Sequence, residues 1–251
     1  MMYPFLRMAW RTILMLGIVV PLHAADAGAT KYRFNVAPSA ELLYTIKSQQ
    51  KGFPVEGNAV VRWTVADKKF SVTNQARAMV VGKILDAHSE GMIDEYGLAP
   101  THFTEKRLRK EATTTSFDRA AGVIRFSGSE HTHPISGGEQ DRNSAVWQLI
   151  AIARAAQGKF KPGSEWTFFV AGQREAHPWT FKVLKQEKID TALGELNTLH
   201  VARMQSPGSS DQQLDIWLAP NKEWYPARLR YSEDDGDFIE QTLEVISKQA
   251  S

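Results

Sequence analysis

The sequence predicts a mainly β protein: a strongly curved antiparallel sheet or partly open β-barrel with one main helix packed on its concave face. Three observations lead there. From about residue 40 onward, short segments alternate apolar and polar residues, the period of a strand with one buried face. Turn signals such as Asp67-Lys68-Lys69, Lys161-Pro162-Gly163, Ser206-Pro207-Gly208 and Asp234-Asp235-Gly236 separate them. One stretch, 141–158, breaks the pattern: Val146, Leu149, Ile150 and Ala153 fall on one face of a 3.6-residue period, widened by Ala145, Ile152 and Ala156. A lone apolar helix among amphipathic strands needs a sheet to lie against.

The chain opens on a targeting segment. Arg7 and Arg11 supply a positive start, and Thr12 to Leu22 is an apolar run broken by Pro21. Small residues follow, with cleavage expected after Ala24 or Ala27. An uncleaved anchor is the competing reading, but the run is shorter than the roughly 20 residues of a membrane span. Residues 1–27 are therefore expected to be a signal peptide, and 28–251 a single β-rich envelope domain in the periplasm with no stable transmembrane segment after cleavage.

Lys31 to Val36 is a possible first strand, ended by Pro38. Ala40, Leu42, Tyr44 and Ile46 alternate with more polar neighbours as a half-buried strand. Gly52 to Gly57 reads as a turn, and Ala59, Val61, Trp63 and Val65 pair across residues 67–69 with Phe70, Val72, Asn74 and Ala76 in a hairpin. Ile84 to Asp94 is a further strand, Tyr96 to Pro100 a bend, and Thr101 to Arg109 a strand with Phe103, Glu105 and Arg107 on one face. Thr113–Phe117 and Val123–Phe126 flank a second hairpin turn. In the helix, numbered 142–157 in its regular part, Asp141 or Asn143 can cap the first N–H groups, Gly158 can end it in the left-handed conformation, and Arg154 is expected on its more exposed face. Strands are expected afterwards at 166–171, 179–187, 196–204, 213–218, 227–231 and 238–246.

Composition narrows the function classes. Residues 1–24 hold two of the 30 basic side chains and no acidic one, so cleavage after Ala24 leaves 28 against 28. A neutral mature domain argues against a nucleic-acid partner, whose phosphates need a net basic face. The chain has no cysteine, so neither a lipid-modified N-terminal cysteine nor disulfides are available, and stability must come from a core.

Three stretches carry a family resemblance. Tyr96-Gly97-Leu98-Ala99-Pro100-Thr101-His102-Phe103 precedes a basic strand. Asp141 stands before the helix with Trp147-Gln148-Leu149. Thr191-Ala192-Leu193-Gly194 and Leu199-His200-Val201 are followed by Ile216-Trp217-Leu218-Ala219-Pro220, Tyr225-Pro226 and Arg228. In that order the chain resembles the bacterial exported domain-of-unknown-function family 3108 over about residues 35–248. The resemblance implies an exported, β-rich envelope domain with no assigned reaction, and it supplies no catalytic residues. The expected architecture is also similar in plan to periplasmic lipoprotein carriers, in which a curved sheet and helices enclose an apolar cleft.

The chemistry has to come from the residues. His131 and His133 point the same way if they lie on a strand, and Asp141 is a candidate carboxylate beside them for zinc. Pro134 and Gly137-Gly138 favour a polar loop instead. No G-x-S-x-G elbow, H-E-x-x-H, phosphate-cradling loop or dinucleotide fingerprint occurs, so no catalytic residue and no cofactor is expected. Glu233, Asp234, Asp235 and Asp237 miss the EF-hand spacing and read as a solvated turn. Lys106, Arg107, Arg109 and Lys110 are the densest basic run; alternation splits them between two faces, which favours a charged strand end over an anion site. Aromatics on the concave face remain. Trp63, Trp147, Trp166, Trp179 and Trp217, with Leu149 and Ile150 of the helix, are the candidate walls of a cleft for a lipid or other apolar ligand, or else core. The leading expectation is a non-enzymatic periplasmic protein that binds an apolar or lipid-like envelope component or scaffolds a partner. The alternative is a metal-dependent or hydrolytic enzyme centred on His131, His133 and Asp141.

Overall fold

A computed structural model describes residues 30–205 and 212–248. The leader, its cleavage sites and the Ser206-Pro207-Gly208 turn lie outside the described residues.

The strands are β1 (Ala40–Gln50), β2 (Phe53–Ala66), β3 (Lys69–Ala78), β4 (Gly82–Asp94), β5 (Gly97–Arg107), β6 (Thr113–Asp118), β7 (Val123–Phe126), β8 (Ser129–Pro134) and β9 (Gln140–Asp141), then, after the helix α1 (Ser144–Ala156), β10 (Glu165–Ala171), β11 (Ala176–Thr191), β12 (Gly194–Met204), β13 (Gln213–Leu218), β14 (Pro226–Ser232) and β15 (Phe238–Lys248). They form one sheet in the order 8-7-6-5-4-3-2-1-15-14-13-12-11-10-9. Every pairing is antiparallel except the short parallel contact of β9 with β10. The chain thus starts mid-sheet, meanders to one edge, and returns from the other edge until β15 pairs with β1.

That order forces curvature. Pro134 ends one edge strand and Gln140 begins the other, with 135–139 between them. Such a link spans at most ~20 Å, whereas fifteen flat strands would hold their edges more than ~60 Å apart. The sheet therefore rolls until its ends nearly meet. The ends are joined by side chains, since no backbone ladder closes them: Thr115 Oγ1 donates to the Gly172 carbonyl at 2.8 Å, Gln173 Nε2 donates to Glu105 Oε1 at 2.6 Å, and Phe117, Ile124, Phe126 and Ala171 pack as a small apolar cluster.

The helix is buried on all sides from Ser144 to Ala153, as an all-round apolar helix requires. It fills one end of the rolled sheet. The Trp147 ring stacks on Trp63 with centroids 4.3 Å apart, and Leu149 and Ile150 have no exposed surface. The Gln148 carboxamide is buried but fully used: its oxygen accepts the Leu98 N–H at 2.8 Å and its nitrogen donates to the Tyr96 carbonyl at 2.8 Å. Gly97, at φ +110°, lies so close that a Cβ would overlap that carboxamide.

Several local expectations change. Lys31–Val36 is not a strand; the Asn35 N–H donates to the Ala151 carbonyl at 2.9 Å, so this lead-in runs over the helix. Gly97 to Pro100 already belong to β5, because their backbone pairs with β4. The helix ends in a 3₁₀ turn, Gln157–Lys159, and Gly158 is not among the positive-φ glycines. Residues 131–133 are strand and not loop, pairing with β7 ahead of the Gly137-Gly138 turn. Arg154, expected on an exposed face, is only 15% exposed in its side chain and pairs with Glu223, because the lead-in and the 220–224 turn cover that side of the helix.

Candidate functional site

Strand alternation decides what faces the interior. On β1 the inward residues are Leu42, Tyr44 and Ile46, then Ser48; on β3 they are Phe70 and Val72, then Asn74, Ala76 and Ala78; on β5, Phe103, then Glu105 and Arg107. The bulky members meet α1 at the plugged end. Towards the other end side chains shrink to Ala76, Ala78 and Ala87, and among the described residues no second helix fills the space. A cavity of about 630 Å³ results, floored by Arg142 and Asn143 just ahead of the helix. Its walls are mostly apolar, including Ile46, Val55, Leu85, Phe103, Leu214 and Ile239.

Polar groups project into this apolar space at defined points. Arg203 is buried, with its guanidinium 4.2 Å above the Trp179 ring, a contact that stabilises a cation away from water. Glu105 is buried too, held by Arg107 and Gln173. Burial raises the Tyr231 phenol above its ordinary value, so this lining residue is neutral at physiological pH. Asn74 Oδ1, also in the lining, is buried without a hydrogen-bond donor. The space is thus bounded by largely apolar walls that also carry arginines (Arg107, Arg142, Arg203) and glutamates (Glu56, Glu105, Glu233) in equal number, with one acceptor that lacks a donor.

The seven residues expected to wall a cleft are dispersed. Trp179 lines the cavity. Trp63, Trp147, Leu149 and Ile150 lie in the core at the plugged end. Trp166 is half-buried at the far end of the helix, with Phe160 at 5.7 Å and Tyr32 at 5.3 Å. Trp217 points away from the interior, opposite to Ile216, and stacks on His200 at 4.3 Å. The alternative trio is spread as well. His131 is exposed, and the half-buried His133 ring rests 5.0 Å from Phe169. Asp141 is fully buried: Oδ1 accepts the Asn143 and Ser144 N–H groups at 2.7 and 2.8 Å, Oδ2 accepts from the Ser89 hydroxyl, and the Asp141 N–H donates to Ser144 Oγ at 2.9 Å. That is a reciprocal helix cap. Among the described residues no group of three or more His, Cys, Asp or Glu side chains is placed to hold a metal ion.

Sequence reasoning passed over Asn74, Glu105, Arg107 and Arg203 as site residues. The signal was parity: Glu105 and Arg107 continue the face that Phe103 begins, so the strand that buries Phe103 aims both charges inward.

The family model for proteins of unknown function, DUF3108, matches residues 43–244. The chain belongs to this family. The DUF3108 chain is similar in fold to a β-barrel-like protein of domain of unknown function DUF1849 from Brucella abortus, at 12% identity and a TM-score of 0.56, covering 86% of this chain and 100% of that one. Weaker likenesses are to a protein from Bacteroides fragilis described as exported with a YmcC-like fold (10% identity, 87% and 100% covered, TM-score 0.36) and to a domain from Vibrio parahaemolyticus described as an outer membrane lipoprotein-sorting protein (8% identity, 87% and 88% covered, TM-score 0.33). No match was found among curated proteins. No helix among the described residues is long and apolar enough to cross a membrane.

Proposed function

We propose that this DUF3108 protein is a non-enzymatic periplasmic binding protein whose rolled sheet holds an apolar or lipid-like envelope component. The observation that carries the reading is the cavity of about 630 Å³ opposite the helical plug. Its volume falls in the range of small-molecule sites, and its apolar walls are suited to a hydrocarbon chain. Arg142, and Arg203 over Trp179, stand among Glu56, Glu105 and Glu233 with Arg107 paired to Glu105, which gives the lining polar groups of both signs for the polar end of such a molecule. The periplasmic assignment rests on the leader read in residues 1–27.

The test is to fill the space. Ala76 and Ala87 both face the cavity, and Ala87→Phe or Ala76→Leu places carbon atoms where the ligand would lie. Binding of a fluorescent fatty acid to the wild type should be saturable, reversed by an unlabelled competitor, and lost in a variant that unfolds at the same denaturant concentration. Unchanged binding in an equally stable filled variant would place the ligand elsewhere.

A further inference from the structure

The open end of the cavity is edged by turns that carry unusual side chains for water-facing positions. The β3–β4 turn is Met79-Val80-Val81, with Met79 77% and Val80 92% exposed. Phe53, just past the β1–β2 turn, is 71% exposed, and Leu108, just past β5, is exposed as well. Turns in water are normally built from Gly, Pro, Asn, Asp and Ser. The ladder places these residues at one end: the Met79 N–H donates to the Glu56 carbonyl at 3.0 Å, and the Leu108 N–H to the Ile84 carbonyl at 2.9 Å. Val81 and Leu108 are both exposed and part of the cavity wall, so the apolar lining continues over the rim to the tips. Scattered surface apolar residues need no explanation; a group joined to an apolar cavity does.

From this continuity and the charge around it we infer that the rim is a docking surface for an anionic phospholipid bilayer. Met79, Val80 and Phe53 enter the interface, and the cavity mouth faces the lipid. Lys51, Arg77, Arg109 and Lys110, all in or beside the same turns and exposed, lie at headgroup level and outnumber the exposed Glu56 and Glu111 there, while Lys83 is ion-paired with Asp86. Separate protruding tips suit a fluid bilayer, which accepts each one wherever it stands, whereas a folded partner would need a matched pocket for each. The acidic turn Glu233-Asp234-Asp235-Gly236-Asp237 adjoins this rim, since the Lys51 N–H donates to the Asp237 carboxylate at 2.8 Å. Repulsion from anionic lipid holds that side off, so the molecule docks tilted, β3–β5 side down. The inference goes beyond ligand holding, and it stands on the rim and not on the contents of the cavity.

The test uses the mature chain and vesicles of phosphatidylethanolamine with phosphatidylglycerol, with phosphatidylcholine vesicles for comparison. The wild type should float with the anionic vesicles, less so in high salt. Val80→Asp should weaken that binding about tenfold or more, the equivalent of one lost apolar side-chain burial. Leu193→Asp, at an exposed apolar turn residue outside this rim, should bind as the wild type. Because the chain has no cysteine, Val80→Cys and Asp235→Cys each give one labelling site. An environment-sensitive dye should shift to the blue on vesicles at position 80 and not at 235. Wild-type binding that Val80→Asp leaves intact, equal dye shifts at both positions, or a Val80-dependent dimer that ignores vesicles would each overturn the inference. Loss of fatty-acid binding in the cavity-filled variants with vesicle binding intact would sustain it, so failure at the rim is distinguishable from failure at the cavity.

Discussion

Replacing Asp141 by Asn should stabilise the protein at neutral pH and leave it unchanged in acid. Asp141 caps α1 from a fully buried position, where loss of hydration penalises the ionised carboxylate; the opposing hydrogen bonds from Ser89, Ser144 and Asn143 only partly offset this, and the carboxyl is pushed up from 3.8 to about 6. The folded state therefore binds a proton that the unfolded chain has released between those two values. Its contribution to stability is full below the unfolded value and is lost as pH rises through about 6. A difference of that size corresponds to roughly 3 kcal/mol. Asn is isosteric and neutral. Its carbonyl can accept the Asn143 and Ser144 N–H groups, and its amide can donate to Ser89 Oγ, so the cap survives without a buried charge. Urea unfolding of both proteins from about pH 4 to about pH 7.5 measures the difference directly, and the other titrating groups cancel between them. The variant should match the wild type at the acid end and exceed it by up to ~3 kcal/mol at the neutral end. A wild type that gains on the variant as pH rises would mean that the hydrogen bonds to the carboxylate outweigh its burial, and the reasoning would fail.

Other expected outcomes concern the plug. Leu149→Ala, in a side chain with no exposed surface, should cost about 2–5 kcal/mol in a denaturant melt, with the far-UV strand signal retained below the transition. Arg154→Ala should cost about 1 kcal/mol, more than an exposed helix position, because its guanidinium meets Glu223 and the Asn35 carbonyl while Glu223 remains partly exposed; a change within noise would show that these contacts are unimportant. Gly97→Ala combines φ +110° with overlap on the Gln148 carboxamide, so it should destabilise by about 2 kcal/mol or more, and combining it with Gln148→Ala should give less than the sum of the two costs.

How much of this was legible beforehand follows the physics of each signal. Ala40-Leu42-Tyr44-Ile46 and Phe70-Val72 state their burial in sequence, because one face of a strand is either wet or dry. The Asp141 cap was legible for the same reason: capping is set by neighbours along the chain. The lead-in at 31–36 was misread because its partner is the Ala151 carbonyl, remote in sequence. Arg154 was misread because the turn that covers it, at Glu223, is 69 residues away in the chain. The cavity left almost no trace. Ala76, Ala78 and Ala87 look like any small strand residues, and only the rolling of the sheet shows that they line an open space. Tryptophans drew attention instead, yet Trp63 and Trp147 pack on each other where the helix fills the interior.

The central claim, that the open end of the rolled sheet holds a lipid-like molecule, is tested most directly by the mass of the protein taken from its own compartment. Mature protein purified from periplasm without detergent should show, in native mass spectrometry, a fraction heavier than the chain by one amphiphile, and organic extraction should release that molecule. The same preparation of Ala87→Phe should carry none. A wild type of bare chain mass with an empty extract, or a filled variant that carries the same amphiphile, would contradict the account.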